Sequence, residues 1–194
     1  MEEQANMVKF VLNYLKLRKY IFIGHSMGGY IALAFAELYP KNLKGISLMN
    51  SSALPDSADK KENRDRAIKA VKYKSHIFVK MAIPNLFSED NRDKFKDEIE
   101  HITEEAFQIS TRGIVAALEG MKIRYNYTNL YNTLEVPIQM IIGRKDPALE
   151  YESLITQTND TKVFVVEFPD GHMSHFENKA ELILVLKLFV KLCK

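Results

Sequence analysis

Ser26 stands in Gly24-His25-Ser26-Met27-Gly28, directly after the short apolar run Tyr20-Ile21-Phe22-Ile23 and directly before the helix-forming stretch Tyr30 to Leu38. A strand, a sharp turn and a helix in that order can hold a serine on a strained backbone with its hydroxyl exposed, ready to attack a carbonyl carbon. Such a turn brings strand and helix close together, so the positions two residues to either side must be small. Gly24 and Gly28 are read as meeting that need. The amide of Met27 opens the helix and is expected to point at the same place, donating to a developing oxyanion with help from the helix dipole. A serine hydroxyl is a weak nucleophile at neutral pH; it needs a histidine within hydrogen-bond reach, and that histidine needs an acceptor to fix its tautomer. Two loops offer the pair, Gly143-Arg144-Lys145-Asp146-Pro147 and Pro169-Asp170-Gly171-His172. Asp146 lies 120 residues beyond Ser26, and His172 a further 26. Loops that follow parallel strands open at one edge of a sheet, so the three can still converge.

Other residues compete for these roles. His175, three positions after His172, reaches the same loop rim but lacks the preceding glycine. Asp146 can also be read as an Asp-Pro turn and Asp170 as a turn residue before Gly171. His25 is fixed inside the pentapeptide, where a structural role is the simpler reading, and His76 and His101 fall in helical stretches where a surface or half-buried place is the default. Asp170, His172, His175 and Glu177 gather potential metal ligands without any defined metal-binding spacing. The glycines from Gly24 to Gly29 are followed by Tyr30-Ile31 where a phosphate loop requires lysine and a hydroxyl residue. Neither a metal, a nucleotide nor any other cofactor is expected.

The elements that must position these groups are legible in outline. Residues 2 to 18 read as an amphipathic helix whose stripe of Met7, Phe10, Val11, Tyr14, Leu15 and Leu17 should pack against the rest of the molecule. Beyond Tyr20 to Gly24, three further apolar runs, 45 to 50, 136 to 143 and 162 to 168, are strands that do not alternate cleanly. Strands apolar on both sides and separated by helices imply a parallel sheet covered on both faces, the α/β class. The stretch from Glu177 to Lys191 closes the chain as a helix. Between these elements the texture turns helical and charge-rich, with pieces at 59 to 74, 76 to 87, 91 to 102 and 104 to 125, and with Thr103 read as an N-cap. The chain therefore divides into a core of residues 1 to 55 and 130 to 194 and a helical insertion of residues 56 to 129.

Composition bounds the function. In 194 residues, 46% hydrophobic, 27 lysines and arginines face 25 aspartates and glutamates, with the signs interspersed. Neither nucleic acid nor an anionic membrane surface is expected as a partner. The one cysteine, Cys193, excludes an intramolecular disulfide and suits a reducing compartment. Met1-Glu2-Glu3-Gln4 is unlike a secretion signal, and no apolar run spans a bilayer, so a cytoplasmic location is expected.

At this point the sequence resembles the α/β-hydrolase superfamily, in particular its small esterase-like members with a helical cap, and the resemblance runs over essentially the whole chain. Gly24 to Gly29 is similar to the nucleophile elbow, Ile142 to Asp146 to the acid loop, and Gly171-His172 followed by Glu177 to the histidine loop. The resemblance implies Ser26 as nucleophile, Asp146 as orienting acid and His172 as general base, with Met27 supplying an oxyanion donor and residues 56 to 129 forming the cap. It implies hydrolysis of a small ester, lactone or thioester through an acyl-enzyme, with His25, Ser51, Phe78 and Met81 bordering the substrate. A perhydrolase or carbon–carbon hydrolase using the same three residues, or a non-catalytic member binding a ligand or partner, are the alternatives. Members of the superfamily usually begin with several strands ahead of the elbow, one of whose loops, often carrying His-Gly, gives a second oxyanion amide. No His-Gly dipeptide occurs here, and the chain opens at the helix before the elbow strand. An N-terminally truncated sheet is thus expected, in which strand 20 to 24 becomes an open apolar edge prone to self-association.

Overall fold

The computed structural model describes residues 1–194. Helix α1 (Glu2–Tyr14) leads to strand β1 (Tyr20–His25), helix α2 (Met27–Leu38) and strand β2 (Leu43–Met49). Three helices follow, α3 (Ala58–Ala82), α4 (Lys96–Ala106) and α5 (Thr111–Lys122), then the short α6 (Leu130–Thr133) and strand β3 (Ile138–Gly143). Helix α7 (Tyr151–Thr156), strand β4 (Phe164–Phe168), the single turn α8 (Ser174–Glu177) and helix α9 (Lys179–Leu192) complete the chain. The four strands lie in the order β1-β2-β3-β4 and every neighbouring pair is parallel. All the loops that leave the C-terminal strand ends therefore share one edge. No helix is long and apolar enough to cross a membrane.

Strand alternation sorts side chains to two faces. Ile46 and Leu48 of β2 with Ile138, Met140 and Ile142 of β3 join Leu33, Ala34 and Phe35 of α2 in the main core, beneath α1, α2 and α6. Met49, Ile141 and Phe168 point the other way and meet Leu182 of α9. On that second face Ser47 donates from Oγ to Gln139 Oε1 at 2.8 Å, across a register in which the two residues are paired, so two buried polar groups satisfy each other. Strand β3 is buried along its whole length, as its unbroken apolar run requires.

Three expectations need correction. The stripe of α1 does not pack: Met7, Phe10, Val11, Tyr14, Leu15 and Leu17 are 48 to 80% exposed, and the helix docks instead through Met1, Ala5, Val8 and Leu12. Spacing finds the apolar face of a helix but not whether anything lies opposite it. Strand β4 is an edge, and Phe164 and Val165 are exposed rather than enclosed. Thr103 caps nothing; it lies inside α4, where its Oγ1 donates to Ile99 O at 2.6 Å, and the cap of α5 is Ser110, whose Oγ accepts from Gly113 N at 3.1 Å. The expected division of the first charged stretch survives as a kink at Lys74, where φ −150° and ψ 84° interrupt α3.

Candidate active site at the C-terminal edge of the sheet

Ser26 sits between β1 and α2 at φ 51° and ψ −119°, a conformation that costs free energy in any residue with a side chain. The surroundings hold it there. Its N–H donates to Met49 O at 2.9 Å, and its carbonyl accepts from Ser51 Oγ at 2.8 Å and from Gly29 N at 3.0 Å. A Cβ on Gly24 would fall 2.5 Å from Gly28 O, and one on Gly29 only 2.2 Å from Ser51 Oγ. One on Gly28 would meet nothing within 4 Å, so the second small residue that the turn needs is Gly29 and not Gly28. As the first residue of α2, Met27 has an N–H with no acceptor within the helix.

The acid and histidine loops meet at the same edge. His172 Nδ1 lies 2.7 Å from Asp146 Oδ2, and the two side chains are 4% and 0% exposed. A carboxylate accepts, so Nδ1 carries the proton and Nε2 is left with a bare lone pair able to take one. Asp146 is held by more than its partner. Its Oδ1 accepts from Ala148 N at 2.8 Å and Leu149 N at 3.0 Å, while Oδ2 also accepts from Asn50 Nδ2 at 3.2 Å. The Asp-Pro turn and the buried acceptor are thus one structure, and no choice between the two readings is needed. No hydrogen bond joins Ser26 Oγ to His172.

Asn50 was not singled out by sequence reasoning. It lies at the end of β2 with φ 46° and is fully buried. Its Nδ2 donates to Asp146 Oδ2 and, at 3.1 Å, to Gly171 O, and its Oδ1 accepts from Ser174 Oγ at 2.7 Å, so one amide ties both loops together. A polar residue at the C-terminal end of an otherwise apolar strand is the signal that marks it. Glu177, read from the sequence only as following the histidine loop or as one of a group of potential metal ligands, has a different part: buried and without a cation, it accepts through Oε1 from Ser88 N (2.9 Å), Ser88 Oγ (2.7 Å) and Asn91 Nδ2 (3.1 Å), and through Oε2 from Met173 N (3.1 Å). With His172 N donating to Leu86 O at 3.0 Å, the histidine loop is stitched to the segment between α3 and α4.

The four residues expected to border a substrate fall in three different places. Ser51 is fully buried, its hydroxyl spent on Ser26 O, so it braces the turn and lines nothing. His25 donates from Nε2 to His172 O at 2.8 Å, its ring between those of His172 and His175, with centroids 5.0 and 4.8 Å away. Burial, and the neighbouring His172 after it, push the pKa of His25 down to about 4, and burial lowers that of His175 as well. The His25 ring is a neutral strut at pH 7, whereas the buried Nδ1 of His175 has no hydrogen-bond partner. Phe78 and Met81 line a 470 Å³ groove along α3 with Tyr73 and Ile77. Of thirteen surface pockets, the five of 300 to 700 Å³ have none of Ser26, Asp146 and His172 in their walls. No group of three or more His, Cys, Asp or Glu residues is arranged to hold a metal ion.

A parallel sheet with helices on both faces and a serine on a strained turn at its C-terminal edge is the architecture of the alpha/beta hydrolase fold, and the chain matches that family over residues 1–179. It belongs to the alpha/beta hydrolase fold family. Among solved structures it is similar to a thermophilic esterase from Thermogutta terrifontis, with a TM-score of 0.87 and 28% identity over 99% of this chain and 72% of that one. It also superimposes on the enol-lactonase of Burkholderia xenovorans LB400 with a TM-score of 0.87 at 21% identity, covering 98% of this chain and 73% of that one, a likeness of fold. Among characterised sequences it is 23% identical to protein NDRG1 of Xenopus tropicalis over 98% of its own length. The chain spans about half the length of the curated relatives it matches.

Proposed function

We propose that this chain is a serine hydrolase of carboxylic esters, lactones or thioesters, with Ser26 as nucleophile, His172 as general base and Asp146 as the acid that orients it. The observation that carries the reading is the 2.7 Å Nδ1–Oδ2 bond between two buried side chains on the loop edge that also bears the strained Ser26. Nε2 of His172 takes the Ser26 proton as Oγ forms a bond to the substrate carbonyl carbon, and the carbonyl electron pair moves to oxygen, where the Met27 N–H donates to it. Collapse expels the alcohol, which receives the proton from the imidazolium; water then repeats the sequence and frees the acid and Ser26. The Ser26–His172 hydrogen bond belongs to the substrate complex, since such bonds are commonly long in empty sites. Helices α3 to α5, within residues 56 to 129, are the cap, and the free Cys193 suits a cytoplasmic protein. Copies associate through the open edge of β1.

Covalent labelling with a fluorophosphonate, read by intact mass and peptide mapping, tests the reading. Stoichiometric label on Ser26, lost in Ser26→Ala, is expected; a folded chain that takes no label refutes it. Two neighbouring chemistries use the same residues, and assays of peroxide-dependent halogenation and of diketone cleavage separate them from ester hydrolysis. A non-catalytic member of the fold is the second reading, favoured by the missing Ser26–His172 bond, and it predicts a function that survives Ser26→Ala.

A further inference from the structure

Asp56 is fully buried and is gripped by two guanidinium groups, those of Arg64 and Arg124. One carboxylate neutralises one of them. Arg124 is itself only 3% exposed, donates from Nε to Leu54 O at 3.0 Å and from Nη1 to Met121 O at 2.9 Å, and stacks over the Tyr30 ring at 4.1 Å. It is therefore locked in place. Half-buried Lys60 joins the group with no ion-pair partner of its own. Burial lowers the pKa of its ammonium, Asp56 raises it, the two arginines lower it again, and Asp146 raises it. Three cations thus gather at one buried carboxylate, with Asp146 the next anion; Arg64 is 19% exposed, but Arg124 is buried, so positive charge is left on the Lys60 and Arg124 side without a paired anion of its own.

Lys60 and Arg124 stand in the wall of a 300 Å³ cleft with Ser52, Ser57, Asn126 and Leu149. The other acid of that wall, Glu150, is solvent-exposed and pairs with neither cation. The cleft opens at the edge of the sheet that carries the candidate site: Ser52 follows Ser51, whose Oγ holds the Ser26 carbonyl, and the Leu149 N–H is bonded to Asp146. We propose that this cleft is an anion subsite, and that the substrate is an ester or lactone bearing a second, free carboxylate that Lys60 and Arg124 receive. The proposal rests on the hydrolase reading for its substrate half only. Binding of the carboxylate needs no chemistry at Ser26.

The test pairs an activity with a binding measurement on the whole chain. Activity compares kcat/KM for 4-nitrophenyl butyrate with that for the mono-4-nitrophenyl ester of glutaric acid, in the wild type and in Lys60→Met. Calorimetry follows glutarate binding to the same two proteins. The acidic ester is expected to be preferred by about tenfold or more, the scale of one charge-assisted hydrogen bond, with the preference collapsing in Lys60→Met and glutarate binding lost with it. Equal rates on the two esters together with no glutarate binding overturn the subsite while the hydrolase stands. Glutarate binding without ester preference overturns its assignment to the substrate. Glutarate binding that depends on Lys60, in a chain that cleaves neither ester, supports the anion site and removes the hydrolase reading. Failure of both removes both.

Discussion

Glycines at the Ser26 turn differ in kind, and the difference can be measured. Gly28 lies in α2 with open space where a Cβ would go, so Gly28→Ala is expected to raise stability by about 0.5–1 kcal/mol through helix propensity. Gly29→Ala drives a methyl into Ser51 and should cost about 1–3 kcal/mol. Thermal denaturation of the two variants decides it, and a reversed order would mean that the turn is not built as described. Asn50 carries a second prediction. Asn50→Asp sets a carboxylate about where the amide now lies, 3.2 Å from Asp146 Oδ2, and two carboxylates at that range do not both ionise freely. Fluorophosphonate labelling at pH 7 should slow by about tenfold or more, since one pKa unit is a factor of ten. His25 supplies a pH dependence. Its folded pKa, about 4, lies below its ordinary 6.5, so between those values the unfolded chain binds more protons and stability is lost as pH falls. The melting temperature should drop on acidification through that window, and His25→Gln should flatten the drop relative to wild type.

Loops that carry Asp146 and His172 are positioned by elements outside the sheet as much as by the strands they follow. Gly171 has no room for a side chain, because a Cβ there would lie 2.5 Å from Ser88 N and 2.8 Å from Glu177 Oε2. Glu177, Ser88 and Asn91 form a polar knot between the end of α8 and the segment that joins α3 to α4. Replacing Ser88 by alanine leaves one acceptor short of a donor, whereas Glu177→Leu strands several donors at once. The expected losses are about 1 kcal/mol for the first and 3 kcal/mol or more for the second, read from urea denaturation. Hydrogen exchange at residues 171 to 177 should rise in both variants. Protection unchanged there would show that the helical segment does not hold the histidine loop. None of this knot was legible beforehand: Ser88-Glu89-Asp90 reads as a turn, and Glu177 as the first residue of a helix, because nothing local says that they meet across 89 positions.

A sheet whose first strand in space is also its first in sequence has β1 on an open edge, where Ile23 is exposed, and the molecule also exposes the apolar side chains Met7, Phe10, Val11 and Tyr14 of α1 with Leu15 and Leu17 just after it. Unpaired strand edges template pairing with another chain. At micromolar concentration the molecule is expected to sediment as a dimer or larger species, and Ile23→Lys combined with Phe10→Glu should shift it toward monomer. Sedimentation of the wild type as a monomer throughout that range would refute association through this face.

The strand-turn-helix at Ser26 and the parallel α/β class were readable from residue types and spacing. Each rests on short-range chemistry: short apolar runs that favour strands, glycines beside a serine, and polar loops after strands. Met27 and the pair Asp146 and His172 were named on the same grounds. The contacts of Asn50, Glu177 and Ser88 and the Arg124 arm of the charge cluster around Asp56 became visible only in three dimensions, because those partners lie 68 to 124 positions away and their meaning is a contact and not a pattern. The roles of Ser51 and of the α1 stripe changed for the complementary reason. Periodicity and position say which side chains share a face, but burial depends on what the rest of the chain brings opposite them, and tertiary structure alone decides that.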